Sequence, residues 1–170
     1  MGAGVTVRRF ILWPDKRLRM VSKPVLVVNN AVQTIWDDMI DSMYGMGGGV
    51  GLAACQIGVM QRLIVVDASN SGKEPVRMAN PEILDASVKM REYTEASPNL
   101  PGVSYKILRP RGVTVAYLDE IGTRVRKDFV GLWATSLQHQ IDHLNGKMYF
   151  DNLSQVKRNM LIAKDKNFMV

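Results

Sequence analysis

A chain of 170 residues suffices for one domain with a sizeable core and is short for two, and 46% apolar with 22% charged residues excludes the disordered and fibrous classes. Lys and Arg (22) outnumber Asp and Glu (16), and the net charge of +6 allows loose attraction to polyanions such as ribosomal RNA without specifying any. The single cysteine, Cys55, excludes an intrachain disulfide, and no apolar run approaches the roughly 18 residues of a spanning helix.

After an extended start, Pro14-Asp15 marks a turn, and Val25 to Val28 leads into Asn29-Asn30, residues suited to capping a helix. Val32, Ile35, Trp36, Met39, Ile40 and Met43 then recur at helical spacing, which predicts a helix to about Tyr44 with this stripe in the core. Gly45 and Gly47 to Gly49 end it. Strands are expected at Leu63 to Asp67, Val76 to Asn80, Ser87 to Glu95 and Val113 to Leu118, separated by turn signals such as Ser69-Asn70-Ser71-Gly72. Asp119 to Gly122 reads as a hairpin loop and Thr123 to Phe129 as its return strand. Leu132 to Leu144 reads as a buried helix that stops near Asn145-Gly146. A last amphipathic segment, Leu153 to Ala163, carries Lys157 and Arg158 on a solvated face. Meandering strands with few helices favour an α+β fold over alternating βαβ units.

The densest chemistry lies in His139-Gln140-Ile141-Asp142-His143. Residues i and i+4 share a helix face, so both imidazoles can reach one divalent ion, and in the hydrolytic form of this spacing the first His is followed by a Glu general base. Here that residue is Gln140, whose amide can orient a water but cannot take its proton. Asp142 reads either as an exposed helical acid or as a group behind the histidines.

Two further stretches stand in order before this one: Gly49-Val50-Gly51-Leu52-Ala53-Ala54-Cys55-Gln56, and Glu95-Ala96-Ser97-Pro98-Asn99-Leu100-Pro101-Gly102-Val103. With Gln138 to Gly146 they resemble the three motifs of peptide deformylases, metallohydrolases that remove formate from the N-terminal formyl-methionine of nascent chains. The first looks like an intact G-x-G-x-A-A-x-Q, the second stands where the family has E-G-C-L-S-x-P-G-V, and the third is similar to Q-H-E-x-D-H-L-x-G. The resemblance implies a single domain over residues 1–170 in which antiparallel sheets surround a central helix bearing the two histidines. It also implies metal ligands at His139, His143 and Ser97, the general-base position at Gln140 and the formyl-oxygen donor position at Gln56. Gly49, Val50, Gly51, Glu95 and Pro98 fall at substrate-binding positions, although Glu95 also reads as a local cap or ion-pair partner.

Three of these positions depart from the pattern. A serine hydroxyl stays protonated near neutral pH and coordinates more poorly than the family's cysteine thiolate. Replacing Glu by Gln140 forfeits a proton shuttle worth roughly 10² to 10⁴ in rate, and Pro98, having no N–H, removes an oxyanion donor worth about 10² to 10³. The expectation is therefore a deformylase-like protein that keeps the fold and a methionine-sized cleft but whose own activity is lost or strongly reduced. No cofactor is expected, or, if any, a divalent metal such as Fe or Zn at His139 and His143. The alternatives are an active metal-dependent amide hydrolase with an altered ligand set, and a regulatory protein without catalysis that binds peptides or the ribosome. Lys106, Arg109, Arg111, Arg124, Arg126 and Lys127 motivate the ribosomal reading. The expected partners are N-terminal Met peptides or the ribosome, with no sequence-specific nucleic acid and no membrane, for a monomer in the cytoplasm. Ser97-Pro98-Asn99 reads as turn chemistry, and Cys55, if its segment is extended, as a small buried residue facing away from the cleft that Gln56 enters.

Overall fold

The computed structural model describes residues 4–168. Its first helix, α1, runs Asn30–Gly45 and is capped by Asn29, whose side chain accepts a hydrogen bond from the Val32 amide at 3.1 Å. The next elements are β1 (Gly51–Ala53), a 3-10 turn at Ala54–Ile57, β2 (Leu63–Val66), β3 (Val76–Ala86), β4 (Met90–Ser97) and β5 (Leu100–Pro110). They are followed by β6 (Gly112–Leu118), β7 (Arg124–Val130), α2 (Leu132–Leu144), a 3-10 turn at Tyr149–Asn152 and α3 (Gln155–Phe168).

Five strands form an antiparallel sheet in the order β1-β2-β3-β6-β7, while β4 and β5 pair only with each other. The sheet's centre is buried on both faces, and β2 shows how. Alternate side chains of a strand point to opposite faces. Leu63 and Val65 accordingly pack with Trp36, Met39 and Met43 of α1, whereas Ile64 and Val66 pack with Ala134, Leu137, Ile141 and Leu144 of α2. A third apolar cluster joins the β4–β5 hairpin to the chain's C-terminal part through Leu100, Val103, Ile107, Tyr149, Phe150 and Leu161. Helix α2 thus lies between the large sheet and the hairpin, the arrangement expected from the three motifs.

The expected helices and strands are present, but β1 was not expected, β3 runs on from Asn80 to Ala86, and two further segments differ. The chain from 100 to 110, left without an element by the sequence reading, is strand β5. The segment around Cys55 is not extended but a tight 3-10 turn. Cys55 is buried nonetheless, with its sulfur 3.4 Å from the His143 carbonyl oxygen, and burial pushes its thiol up to about 11. Among the described residues no helix is long and apolar enough to cross a membrane.

The end of α2 is fixed by a close approach. Gly146 sits in the left-handed region at φ +74°, and a Cβ there would lie 2.7 Å from the Arg19 carbonyl carbon and 3.2 Å from the Met20 oxygen. Gly146→Ala is expected to lower the unfolding free energy by about 2 to 4 kcal/mol through backbone strain and overpacking together. Urea denaturation measures this, and an unchanged midpoint with unchanged slope would refute the account.

Candidate active site

The site is built where β1 and α2 come closest. A Cβ on Gly51 would stand 2.9 Å from Gln140 Nε2 and overlap Ser136 Oγ, so the second glycine of the first motif is what lets the helix carry Gln140 against the strand. Beside this contact opens a cavity of about 470 Å³. The residues marked by the three motifs meet in its wall: Gly49, Val50, Gly51, Gln56, Glu95, Ser97, Pro98, His139 and Gln140. His143 lies behind them, buried, one helical turn from His139.

The two imidazoles face one another, with His143 Nε2 3.1 Å from His139 Nε2. Two nitrogens on one tetrahedral ion, each bonded at about 2.0 to 2.1 Å, stand about 3.3 Å apart, so this spacing suits a shared divalent cation. Burial, aided by the charges of His139 and Arg109, lowers the His143 pKa well below its ordinary value, which keeps the ring neutral as a ligand must be. Ser97, also buried, offers a neutral hydroxyl from the same cavity wall. The donor set thus fits an ion through two imidazoles and one neutral oxygen. Among the described residues no group of three or more His, Cys, Asp and Glu is placed to hold a metal.

Behind His139 runs a buried chain of charge. The His139 ring Nδ1 lies 2.7 Å from Glu95 Oε1, and Arg109 donates to Glu95 at 2.7 and 3.0 Å and to Asp142 at 2.8 Å. Burial works to raise the Glu95 pKa, but the hydrogen bonds from His139 and Arg109 outweigh it and hold the carboxyl below its usual range. An ionised Glu95 takes the proton on His139 Nδ1 as its partner and leaves Nε2 to face the cavity, the second partner that metal-binding histidines commonly have. Tyr149 closes the other side, its ring stacked on His139 at 6.0 Å between centroids and 16° between planes.

Sequence reasoning missed three members of this site. Arg109 is not a surface cation available to RNA but a buried partner of Glu95 and Asp142, and Asp142 is correspondingly engaged instead of standing free on the helix. Tyr149 carried no motif signal at all. Asn99, read as part of a solvated turn, is fully buried and donates to the carbonyl oxygens of Ile11 (2.5 Å) and Gln56 (3.2 Å). Gln140 lines the cavity almost wholly buried, and its Oε1 has no hydrogen-bond partner.

Residues 7–159 match the family model described as polypeptide deformylase. A protein of Methylocella silvestris named peptide deformylase is 44% identical over 93% of this chain and 83% of its own, and one of Rhizobium meliloti with the same name is 39% identical over 94% and 92%. A crystal structure of a peptide deformylase from Legionella pneumophila superposes with a TM-score of 0.89 at 41% identity, covering 96% of both chains. These relatives correct the expectation that deformylase activity is lost or strongly reduced. That expectation, and the description of the site as degenerate, rested on positions 97, 98 and 140, whereas the likeness to proteins named as deformylases runs through nearly the whole chain.

Among the described residues Arg109 is the one cation paired with Glu95 besides the His139 ring. Arg109→Met is expected to cost about 3 to 5 kcal/mol, because it strands a buried carboxylate, while Glu95→Gln costs less because an amide can be buried neutral. Denaturant unfolding of the two variants at neutral pH compares them, and equal losses would refute the ordering.

Proposed function

We propose that this chain, which belongs to the polypeptide deformylase family, is a metal-dependent hydrolase that removes the formyl group from N-terminal formyl-methionyl peptides. The observation that carries the reading is the meeting, in one cavity, of the Gln56 amide, the His139 ring and the unpartnered amide oxygen of Gln140. Strand β1 is an edge of its sheet, and Gly47 to Gly51 line the cavity, so an extended peptide can lie along this backbone with Met46, Tyr93 and Leu132 as apolar walls for a methionine side chain.

Each polar group then has a task. Gln56 Oε1 accepts from the Ala53 amide at 2.8 Å, which turns Nε2 toward the cavity as a donor for the formyl oxygen. Gln140 Oε1 accepts from a water and aims it, a task that an amide can perform without taking the proton. His139 and His143 supply Nε2 atoms, with Ser97 as an oxygen donor, to a divalent ion such as Fe or Zn. Bound there, such an ion supplies polarisation of the formyl carbonyl and ionisation of a water. Glu95 holds the His139 ring, and Tyr149 keeps its outer face dry. On this reading the protein works on nascent chains in the cytoplasm.

Formate release from formyl-Met-Ala-Ser, measured with Fe(II), Zn(II) or Ni(II) supplied, tests the reading. Turnover is expected with at least one ion and is abolished by a chelator, and Gln56→Leu is expected to lower kcat by about 10²- to 10³-fold. No formate with any of the three ions overturns the proposal.

A further inference from the structure

The β4–β5 connection is the part of the site that departs most from the family's pattern, and it holds a residue to which the mechanism above gives no task. Asn99 is fully buried in what would ordinarily be a solvated hairpin turn. An amide side chain has two N–H hydrogens and two oxygen lone pairs, and Asn99 uses all four. Its Nδ2 donates to Ile11 O at 2.5 Å and to Gln56 O at 3.2 Å, and its Oδ1 accepts from Gln56 Nε2 at 2.7 Å and from Ser97 Oγ at 3.0 Å. The orientation follows from chemistry: Ile11 O and Gln56 O are carbonyl oxygens that can only accept, so the nitrogen must face them and the oxygen must face Gln56 and Ser97. The Asn99 carbonyl oxygen also accepts from the Trp13 amide at 2.7 Å, which ties the same residue to the N-terminal segment.

Two consequences bear on the cavity. The Gln56 amide is held at both ends, by the Ala53 amide on Oε1 and by Asn99 on one hydrogen of Nε2. Its second hydrogen has only a long contact, 3.4 Å to Ser97 Oγ, and is the one left for a formyl oxygen. Ser97 gives its own proton to Asn99 Oδ1 and accepts from the Asn99 backbone amide at 3.3 Å, so the same residue holds the hydroxyl from both sides. Ser97 and Glu95 are two residues apart on β4 and share its buried face, the side on which Glu95 meets His139.

We infer that Asn99 is a positioning residue for deformylation: it sets the Gln56 amide as the formyl-oxygen donor. This rests on the proposed activity for its kinetic consequence, and on geometry alone for the restraint of Gln56. A serine or alanine at this position cannot hold both Gln56 and Ser97, since neither offers an acceptor together with two donors of this reach.

The test has two arms on the full-length protein. In the first, proton exchange of the Gln56 side-chain amide is followed by NMR in the unmodified protein and in Asn99→Ala. The two Nε2 hydrogens are expected to exchange at different rates in the unmodified protein, the slow one held by Asn99, and both to exchange quickly in the variant. Equal, fast exchange in the unmodified protein overturns the inference. In the second arm, with metal supplied, Asn99→Ala is expected to lower kcat for formyl-Met-Ala-Ser by about 10- to 100-fold with KM little changed, as a misplacement of order 1 Å would. Gln56→Leu combined with Asn99→Ala is then expected to be no slower than Gln56→Leu alone. Multiplied losses in the double variant overturn the inference, because Asn99 then acts other than through Gln56. If the unmodified protein releases no formate, the proposed function fails, while the exchange measurement still decides the restraint of Gln56.

Discussion

The arrangement of this protein depends on one buried chain of charge, from Arg109 through Glu95 to His139. A carboxylate as deeply buried as Glu95 is costly unless its charge is answered and its oxygens are hydrogen-bonded, and here both conditions are met by residues from different elements. Glu95 belongs to β4 and Arg109 to β5, where Glu95 pairs with Tyr105 and Arg109 with Arg91, while His139 and Asp142 belong to α2. Because Arg109 reaches carboxylates on both bodies, the hairpin cannot slide or turn against the helix without stranding a charge. The chain therefore does more than stabilise. It fixes the rotation of α2, and with it the direction in which His139, Gln140 and His143 point.

Apolar packing could not have supplied that direction alone. Leu137, Ile141 and Leu144 hold α2 against the large sheet, but such contacts tolerate modest rotation at modest cost. The missing side chain of Gly51 works in the same sense as the ion chain, since it permits only a small clearance between β1 and the Gln140 side of the helix. Between these two constraints the cavity is left open at the sheet edge, where backbone groups of β1 and the preceding glycines remain accessible to a peptide.

Much of this was legible in the sequence because it was local. The helix from Leu132 to Leu144 has a clear apolar face and the stop signal Asn145-Gly146, and the motif residues could be placed in one site by resemblance. Strand β5 escaped because Pro101, Gly102 and Pro110 argue against a strand. They are tolerated because β5 pairs only with β4 and has a free edge, so a missing N–H need not break a ladder. Arg109 and Asn99 escaped for a different reason. A charged strand residue and an Asn after Pro are ordinarily solvated, and their burial is decided by partners distant in sequence: Asp142 for the first, and the carbonyls of Ile11 and Gln56 for the second. The mistaken expectation of lost activity came from weighing Ser97, Pro98 and Gln140 each against a motif, whereas the likeness to proteins named peptide deformylase runs through nearly the whole chain.

The charge of the site gives those substitutions a common sense. Where the family pattern has a thiolate and a carboxylate, this chain has Ser97 and Gln140, both neutral, which removes two negative charges from the cavity wall. Among the described residues Glu95 is the only carboxylate lining that wall, and Arg109 answers it from behind. A cation held there by two neutral imidazoles and a hydroxyl would keep more of its own charge than one bound to a thiolate. An amide at position 140 can orient a water by hydrogen bonding without taking its proton. Ser97 and Asn99 are fixed by hydrogen bonds to each other and to Gln56, whereas Gln140 is held by its packing against Gly51, with its amide oxygen left to the cavity.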